Sequence, residues 1–191
     1  MRRSAVLLVC SVSIFLLCGC RNPVGNKNAV EVIIEGGESF PDFLAGTWKA
    51  DKGGWEFVFE PDGTISSAVV SLGRVRIKPG EVTTVPMLLG GKGVFKPGPW
   101  TVQYSYEQRE LIIDIKIENF RVELGESVVK GKTQDIFVGS ISGDGRLWWA
   151  ERFSYPEYIA DTKKFPNYKL TAEASDTPRE GLLFQKVQES K

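Results

Sequence analysis

Histidine is missing from this sequence altogether, and its three cysteines, Cys10, Cys18 and Cys20, all sit near the N-terminus. Beyond Cys20 there is no imidazole base, no thiolate nucleophile, no Cys/His zinc site and no disulfide framework. A surplus of either charge is missing too, since 24 Lys and Arg balance 24 Asp and Glu. The electrostatic footprint of a nucleic-acid binder is therefore lacking, and no nucleic-acid partner is expected. Internal repeats and low-complexity tracts do not stand out, and the one long hydrophobic run is N-terminal. At 42% hydrophobic, 11% aromatic and 25% charged residues, the chain has the balance of a folded domain rather than of a disordered one.

The groups left for catalysis are carboxylates, hydroxyls, lysines and tyrosines. Glu56 and Glu60 fall on the outward side of one candidate strand, and Asp114 and Glu118 repeat the spacing on another. Carboxylate pairs hydrolyse glycosides when held about 5–10 Å apart across a cleft. Here the flanking aromatics turn the other way, so the pattern reads as a solvated strand face. Asp42, Asp51, Asp62 and Asp144 lie in turn-forming segments, where Asp bonds its own backbone, and no loop has the dense oxygen spacing of a calcium site. The expectation is a non-enzyme with no metal site and no cofactor.

The N-terminus is built as an export signal. Arg2 and Arg3 precede a nearly unbroken apolar run over residues 5–17, which ends in Leu17, Cys18, Gly19 and Cys20. Such a run is short for a membrane span. The Leu-Cys-Gly-Cys block resembles the lipobox of bacterial lipoproteins, departing from it at Cys18, where Ala, Ser or Thr is usual. The resemblance implies lipidation of Cys20, which becomes the first mature residue; a plain secretory signal and an uncut membrane anchor are the alternatives. Two or three acyl chains at roughly 0.8 kcal/mol per methylene make such an anchor effectively permanent. Arg21, in place of Asp, is similar to lipoproteins released to an outer membrane. The implied location is the cell envelope, lipid-anchored, at the outer membrane or the periplasmic face, with the membrane itself as first partner.

The domain division expected is a signal peptide at residues 1–19, a flexible tether at 20–28 and a single β-barrel domain at 29–191. Losing Arg2 and Arg3 leaves 22 positive against 24 negative groups, a net of minus two. The tether, rich in Asn and with little to bury, reaches roughly 25 Å if extended.

Residues 43–66 set the character of the domain. Trp55, Phe57 and Phe59 alternate with Glu56, Val58 and Glu60, the period of a half-buried strand. Pro61, Asp62 and Gly63 then turn the chain into a β-branched run, completing a hairpin. Trp100, Val102, Tyr104 and Tyr106 form one face of a later strand, and Leu111, Ile113, Ile115 and Ile117 line the core side of its partner. Apolar residues then shift phase to Phe120, Val122 and Leu124, which predicts a bulge near Glu118 and Asn119. Residues 29–35 form a short first strand, the alternative being an apolar part of the tether; residues 88–99, with four glycines and two prolines, form a loop, and residues 155–165 a short surface helix.

Just after the apolar turn at residues 39–44 comes Gly46-Thr47-Trp48, and here the chain resembles the lipocalins and related calycin barrels. The resemblance implies that Trp48 plugs the closed end of a barrel and that the 88–99 loop borders its open mouth. The fold expected is all-β, an antiparallel up-and-down β-barrel of eight to ten strands with a short helix near the C-terminus, the alternative being a β-sandwich.

Two functions fit. In the first, Trp55, Phe57, Phe59, Trp100, Tyr104 and Tyr106 line a cavity for a small apolar ligand or lipid, since eight-stranded barrels either fill with side chains or hold one ligand. In the second, these aromatics are plain core, and a non-enzymatic interaction lipoprotein docks an envelope protein or polysaccharide. Its contact surface would be Trp148, placed outward by alternation opposite Trp149 and flanked by Arg146 and Arg152.

Overall fold

The computed structural model describes residues 30–70, 74–87, 90–161, 168–171 and 179–188. The expected signal peptide, Cys20 and the expected tether lie outside the described residues, as does Ala29. Among the described residues the structure is all-β, with no helix, and its thirteen strands join in one sheet.

Three long antiparallel strands form the spine: β9 (Glu110–Leu124), β10 (Ser127–Ile141) and β11 (Leu147–Asp161), each of 15 residues. Shorter strands flank each end of this spine. At one end β8 (Trp100–Ser105) pairs with the first half of β9, and β1 (Val30–Glu35) lies parallel to β8. On the far side of the spine β13 (Arg179–Lys186) pairs with the first half of β11. The sheet then continues through β2 (Gly46–Ala50), β3 (Glu56–Phe59), β4 (Ile65–Val70) and β5 (Val75–Ile77). At the other end β7 (Lys92–Pro97) pairs with the second half of β9, β6 (Thr83–Pro86) edges β7, and β12 (Tyr168–Thr171) pairs with β11. Pro97 and Pro99 have no N–H to continue the ladder, so the chain breaks there into β7 and β8, and Gly98 N donates to Lys116 O at 2.9 Å to hold the break in place.

The sheet is not closed into a barrel. Its strand order runs from β1 to β5 with no pairing between them, and with a single sheet it is not a two-sheet sandwich either. It curls enough for unpaired strands to meet face to face: Phe57 on β3 lies 5.1 Å from Phe137 on β10, ring centre to ring centre. What meets at one point of the open seam is side chain rather than ladder. A Cβ at Gly63, in the β3–β4 turn, would lie 2.7 Å from Phe40 and 2.9 Å from Val32 of β1. The φ of 86° at this position also favours glycine.

Two further expectations give way. Most of residues 155–165 is not helical, because Tyr155 to Asp161 complete β11, with Pro156, Tyr158 and Ala160 on one face and Tyr155, Glu157 and Ile159 on the other; residues 162–165 lie outside the described residues. Pro156 falls between the end of pairing to β13 at Phe153 and the start of pairing to β12 at Glu157, where a missing N–H is tolerated. Within 88–99, the stretch Lys92–Pro97 is β7 rather than loop, its glycine absorbed at the β6–β7 hairpin edge; residues 88 and 89 lie outside the described residues. The bulge, by contrast, sits where the phase shift places it. Ile117 faces Thr133 and Phe120 faces Gly131, so Glu118 and Asn119 together oppose Lys132 alone. The predicted first strand is β1, and the apolar turn after it closes with Leu44 N donating to Pro41 O at 2.9 Å.

The core fills the curled end. Trp48, Phe57, Trp148 and Phe184 are fully buried, and Trp148 stacks on Phe184 at 4.6 Å. Each such side chain contributes on the order of 1.5–3 kcal/mol by burial. Trp48 donates from Nε1 to Leu44 O at 2.8 Å, so its one polar atom is satisfied inside. Every described strand and core residue lies at or beyond Val30, so a chain starting at Arg21 keeps the whole described core. Close strand approach sets a further constraint at Gly139, where an added Cβ would run into the Trp149 carbonyl oxygen and come within 2.7 Å of the Ala150 Cα. Gly139→Ala is expected to lower stability by about 1–3 kcal/mol or more, as forced overpacking does. Gly143→Ala, whose added Cβ meets nothing within 4 Å, should be close to neutral; equal thermal midpoints for the two variants would refute the constraint.

Candidate functional site

The aromatics expected to line a cavity instead pack against one another. Trp55, Phe57, Phe59, Trp100 and Tyr104 are all buried, at 2% exposure or less. Trp55 lies 4.9 Å from Phe137 edge-to-face, Phe57 5.4 Å from Phe184, and Trp100 Nε1 donates to Lys116 O at 3.1 Å. Burial pushes the Tyr104 hydroxyl up, against the nearby Arg109 charge that pulls it down. Tyr106 differs, being 38% exposed, with its hydroxyl donating to Ser39 O at 3.0 Å.

The two neighbouring tryptophans on β11 are the reverse of the expectation. Trp148 is fully buried and Trp149 is 52% exposed. Residues directly opposite in antiparallel strands share a face, and Trp148 is opposite Ile141 and Phe184, both inward. Leu147, Trp149 and Phe153 share the outer side, where Arg179 lies over the Phe153 ring at 5.5 Å. Of the flanking arginines, Arg146 is exposed while Arg152 turns inward with Trp148. Three of the four outward carboxylates, Glu56, Asp114 and Glu118, meet neighbouring cations or amides, Glu118 pairing with Lys96 at 2.7 Å. Glu56 pairs with Lys49 at 3.4 Å and with Arg76, and Asp114 accepts from Gln134 Nε2 at 2.8 and 2.9 Å.

An apolar concave surface lies beyond the bulge, at the end of the spine away from the packed core. There β9 contributes Phe120, Val122 and Leu124, β10 contributes Val129, and β11 contributes Tyr158 and Ala160; Phe95 of β7 and Met87 complete one wall. Together they outline an apolar groove of about 440 Å³, within the size range of small-ligand sites. Phe95 stacks on Phe120 at 6.4 Å as a fixed wall, while Val122, Val129, Tyr158 and Ala160 stay half-buried and Leu124 is exposed. Gly131, between Phe120 and Tyr158 in register, puts no side chain between them.

A band of polar side chains divides groove from core. Asp135 is only 5% exposed and accepts from Arg152 Nη2 at 2.6 Å and from Arg152 Nε at 3.0 Å. Arg152 also donates to Glu180 at 3.1 Å and to Ser154 Oγ at 3.0 Å, and its guanidinium lies 4.8 Å over the Trp55 ring. Thr133 donates to the other Asp135 oxygen at 3.5 Å. A buried ion pair of this kind holds only when its hydrogen bonds are nearly complete. Between it and the groove is a small cavity of about 80 Å³, walled by Thr133, Asp135, Arg152 and Ser154 together with Trp55, Val70, Phe120, Pro156 and Tyr158.

Sequence reasoning named Arg152 and Trp55 for other reasons and missed Asp135 and the groove. One signal was available: Thr133 and Asp135 share the alternation phase of Phe137, which places polar groups on an inward face. Among the described residues no three His, Cys, Asp or Glu side chains group as metal ligands. No profile of a known protein family matches the chain, and comparison with curated proteins and with solved structures gives no match.

Two predictions follow from these placements. Trp148→Ala should cost about 3–5 kcal/mol, as large-to-small core changes do, whereas Trp149→Ala should stay within about 0.5 kcal/mol; equal losses in denaturant titrations would contradict the inward placement of Trp148. Three carboxylates contribute to acid stability. Burial works to raise Glu56, but the Arg76 hydrogen bond and charge, with Lys49, hold it below its ordinary value. Hydrogen bonds from Thr64 lower Asp62, and those from Ser142 and Arg146 lower Asp144. Because the folded-state values are depressed, their contribution is complete above the ordinary carboxylate range near pH 4 and is lost as pH falls through the lower folded values. Asp62→Asn should flatten the fall in thermal midpoint below about pH 4 relative to the unaltered chain; an unchanged slope would remove Asp62 from the account.

Proposed function

We propose that this chain is a non-enzymatic lipoprotein of the cell envelope, anchored through a lipidated Cys20, which holds an apolar ligand or the acyl part of a lipid. The observation that carries the binding half is the groove of about 440 Å³ beyond the bulge, with its two buried phenylalanines and five half-buried apolar or aromatic side chains. The packed aromatic core supports moving the ligand away from Trp55, Phe57 and Phe59 to this end of the sheet. The anchoring half rests on the Leu17 to Cys20 block and the polar tether after it.

The second reading, an interaction module that docks an envelope protein or polysaccharide, is favoured by one observation, the half-exposed Trp149 on the outer face. In that reading Trp149 takes the place of Trp148.

Titration of the chain from Arg21 with a fluorescent acyl probe tests the groove. Saturable binding is expected, with Leu124→Asp at the exposed rim weakening it at least tenfold and Trp149→Ala leaving it unchanged. Absence of saturable binding, or indifference to Leu124→Asp, would overturn the groove reading. For the anchor, metabolic labelling with a radioactive fatty acid should mark the chain in its host and leave Cys20→Ser unlabelled; label retained by Cys20→Ser would refute it.

A further inference from the structure

We infer that the groove selects a single acyl chain bearing a neutral hydroxyl head, such as a monoacylglycerol or fatty alcohol, over the same chain ending in a carboxylate. This rests on the groove reading above and adds the chemistry at the groove's inner end. The cavity of about 80 Å³ and the groove share Phe120 and Tyr158 as walls, so a chain lying in the groove brings its head to the polar band.

That band is short of positive charge. Asp135 and Glu180 already share the one Arg152 guanidinium, which leaves the trio at minus one. Arg152 has five N–H groups, and four hydrogen bonds to Asp135, Glu180 and Ser154 engage it. A ligand carboxylate would add a second uncompensated negative charge to a poorly hydrated site, which is costly. A hydroxyl carries no charge and both accepts and donates. Donors and acceptors for it are present: one Asp135 oxygen has only the 3.5 Å bond from Thr133, and the Thr133 and Ser154 hydroxyls belong to side chains that line the same cavity.

The test is calorimetric titration of the chain from Arg21, at neutral pH, with monolauroylglycerol and lauric acid, which share chain length and differ in head. The neutral ligand is expected to bind at least tenfold more tightly than the carboxylate. Glu180→Gln, at a partly exposed position that does not line the cavity, removes one negative charge and should narrow the gap between neutral and carboxylate heads several-fold; Asp135→Asn should do the same if it folds. Equal affinity for the two heads, or preference for the carboxylate, would overturn the head selectivity while leaving the groove standing. Failure of both to bind would overturn the groove reading itself, and this inference with it.

Discussion

One extra residue in β9 determines what each end of this sheet can do. Up to Ile117 the inward positions of β9 are Leu111, Ile113, Ile115 and Ile117; after Glu118 and Asn119 oppose the single Lys132, they are Phe120, Val122 and Leu124. Without the bulge a strict period of two would send Phe120 and Val122 to the solvent face and Asn119 and Arg121 inward. The bulge also increases local twist, and it coincides with the break between β7 and β8 at Pro97 to Pro99, which face the same stretch of β9. A single spine thereby serves two surroundings, a curled packed end and a grooved one.

The boundary between the two ends is chemical as well as geometric. On β10 the inward positions read Phe137, Asp135, Thr133, Gly131 and Val129, and on β11 they read Arg152, Ser154, Pro156, Tyr158 and Ala160. Moving along these rows, aromatic core gives way to an ion pair with its hydroxyls and then to an apolar wall. Burying Asp135 at 5% exposure is tolerable because Arg152 engages it through two nitrogens and is itself braced by Glu180, Ser154 and the Trp55 ring. Removing one member of such a set leaves an unpaired charge inside, so the band fixes where packing ends.

Much of the curled end was legible in the sequence because strand periodicity is a local signal. Trp55, Phe57 and Phe59, and the Leu111 to Ile117 series, announce their inward faces by alternation alone. The phase shift at Glu118 gave the bulge for the same reason. Closure was not legible, since whether β1 and β5 pair depends on lengths and curvature accumulated over the whole sheet. The Trp148 and Trp149 reversal shows the limit of alternation: it assigns residues to two sides but does not say which side is inside. Leu147, Trp149 and Phe153 made one side look apolar, while Arg152 and Ser154 made the true inner side look wet, because the partner that neutralises Arg152 lies 17 positions away on β10.

That same masking hid the groove. Its walls come from five places, Met87, β7, the far half of β9, the near half of β10 and the far half of β11, and in several of these the apolar residues are sparse or interrupted by Gly93, Gly131 and Pro156. A glycine in a strand reads as weak β propensity, yet Gly131 is what keeps the space between Phe120 and Tyr158 free of a side chain. The features that weaken a strand signal are thus the ones that make room for a ligand. A well-filled core and an open apolar groove require opposite choices at equivalent positions on the same three strands, and the polar band is where one set of choices gives way to the other.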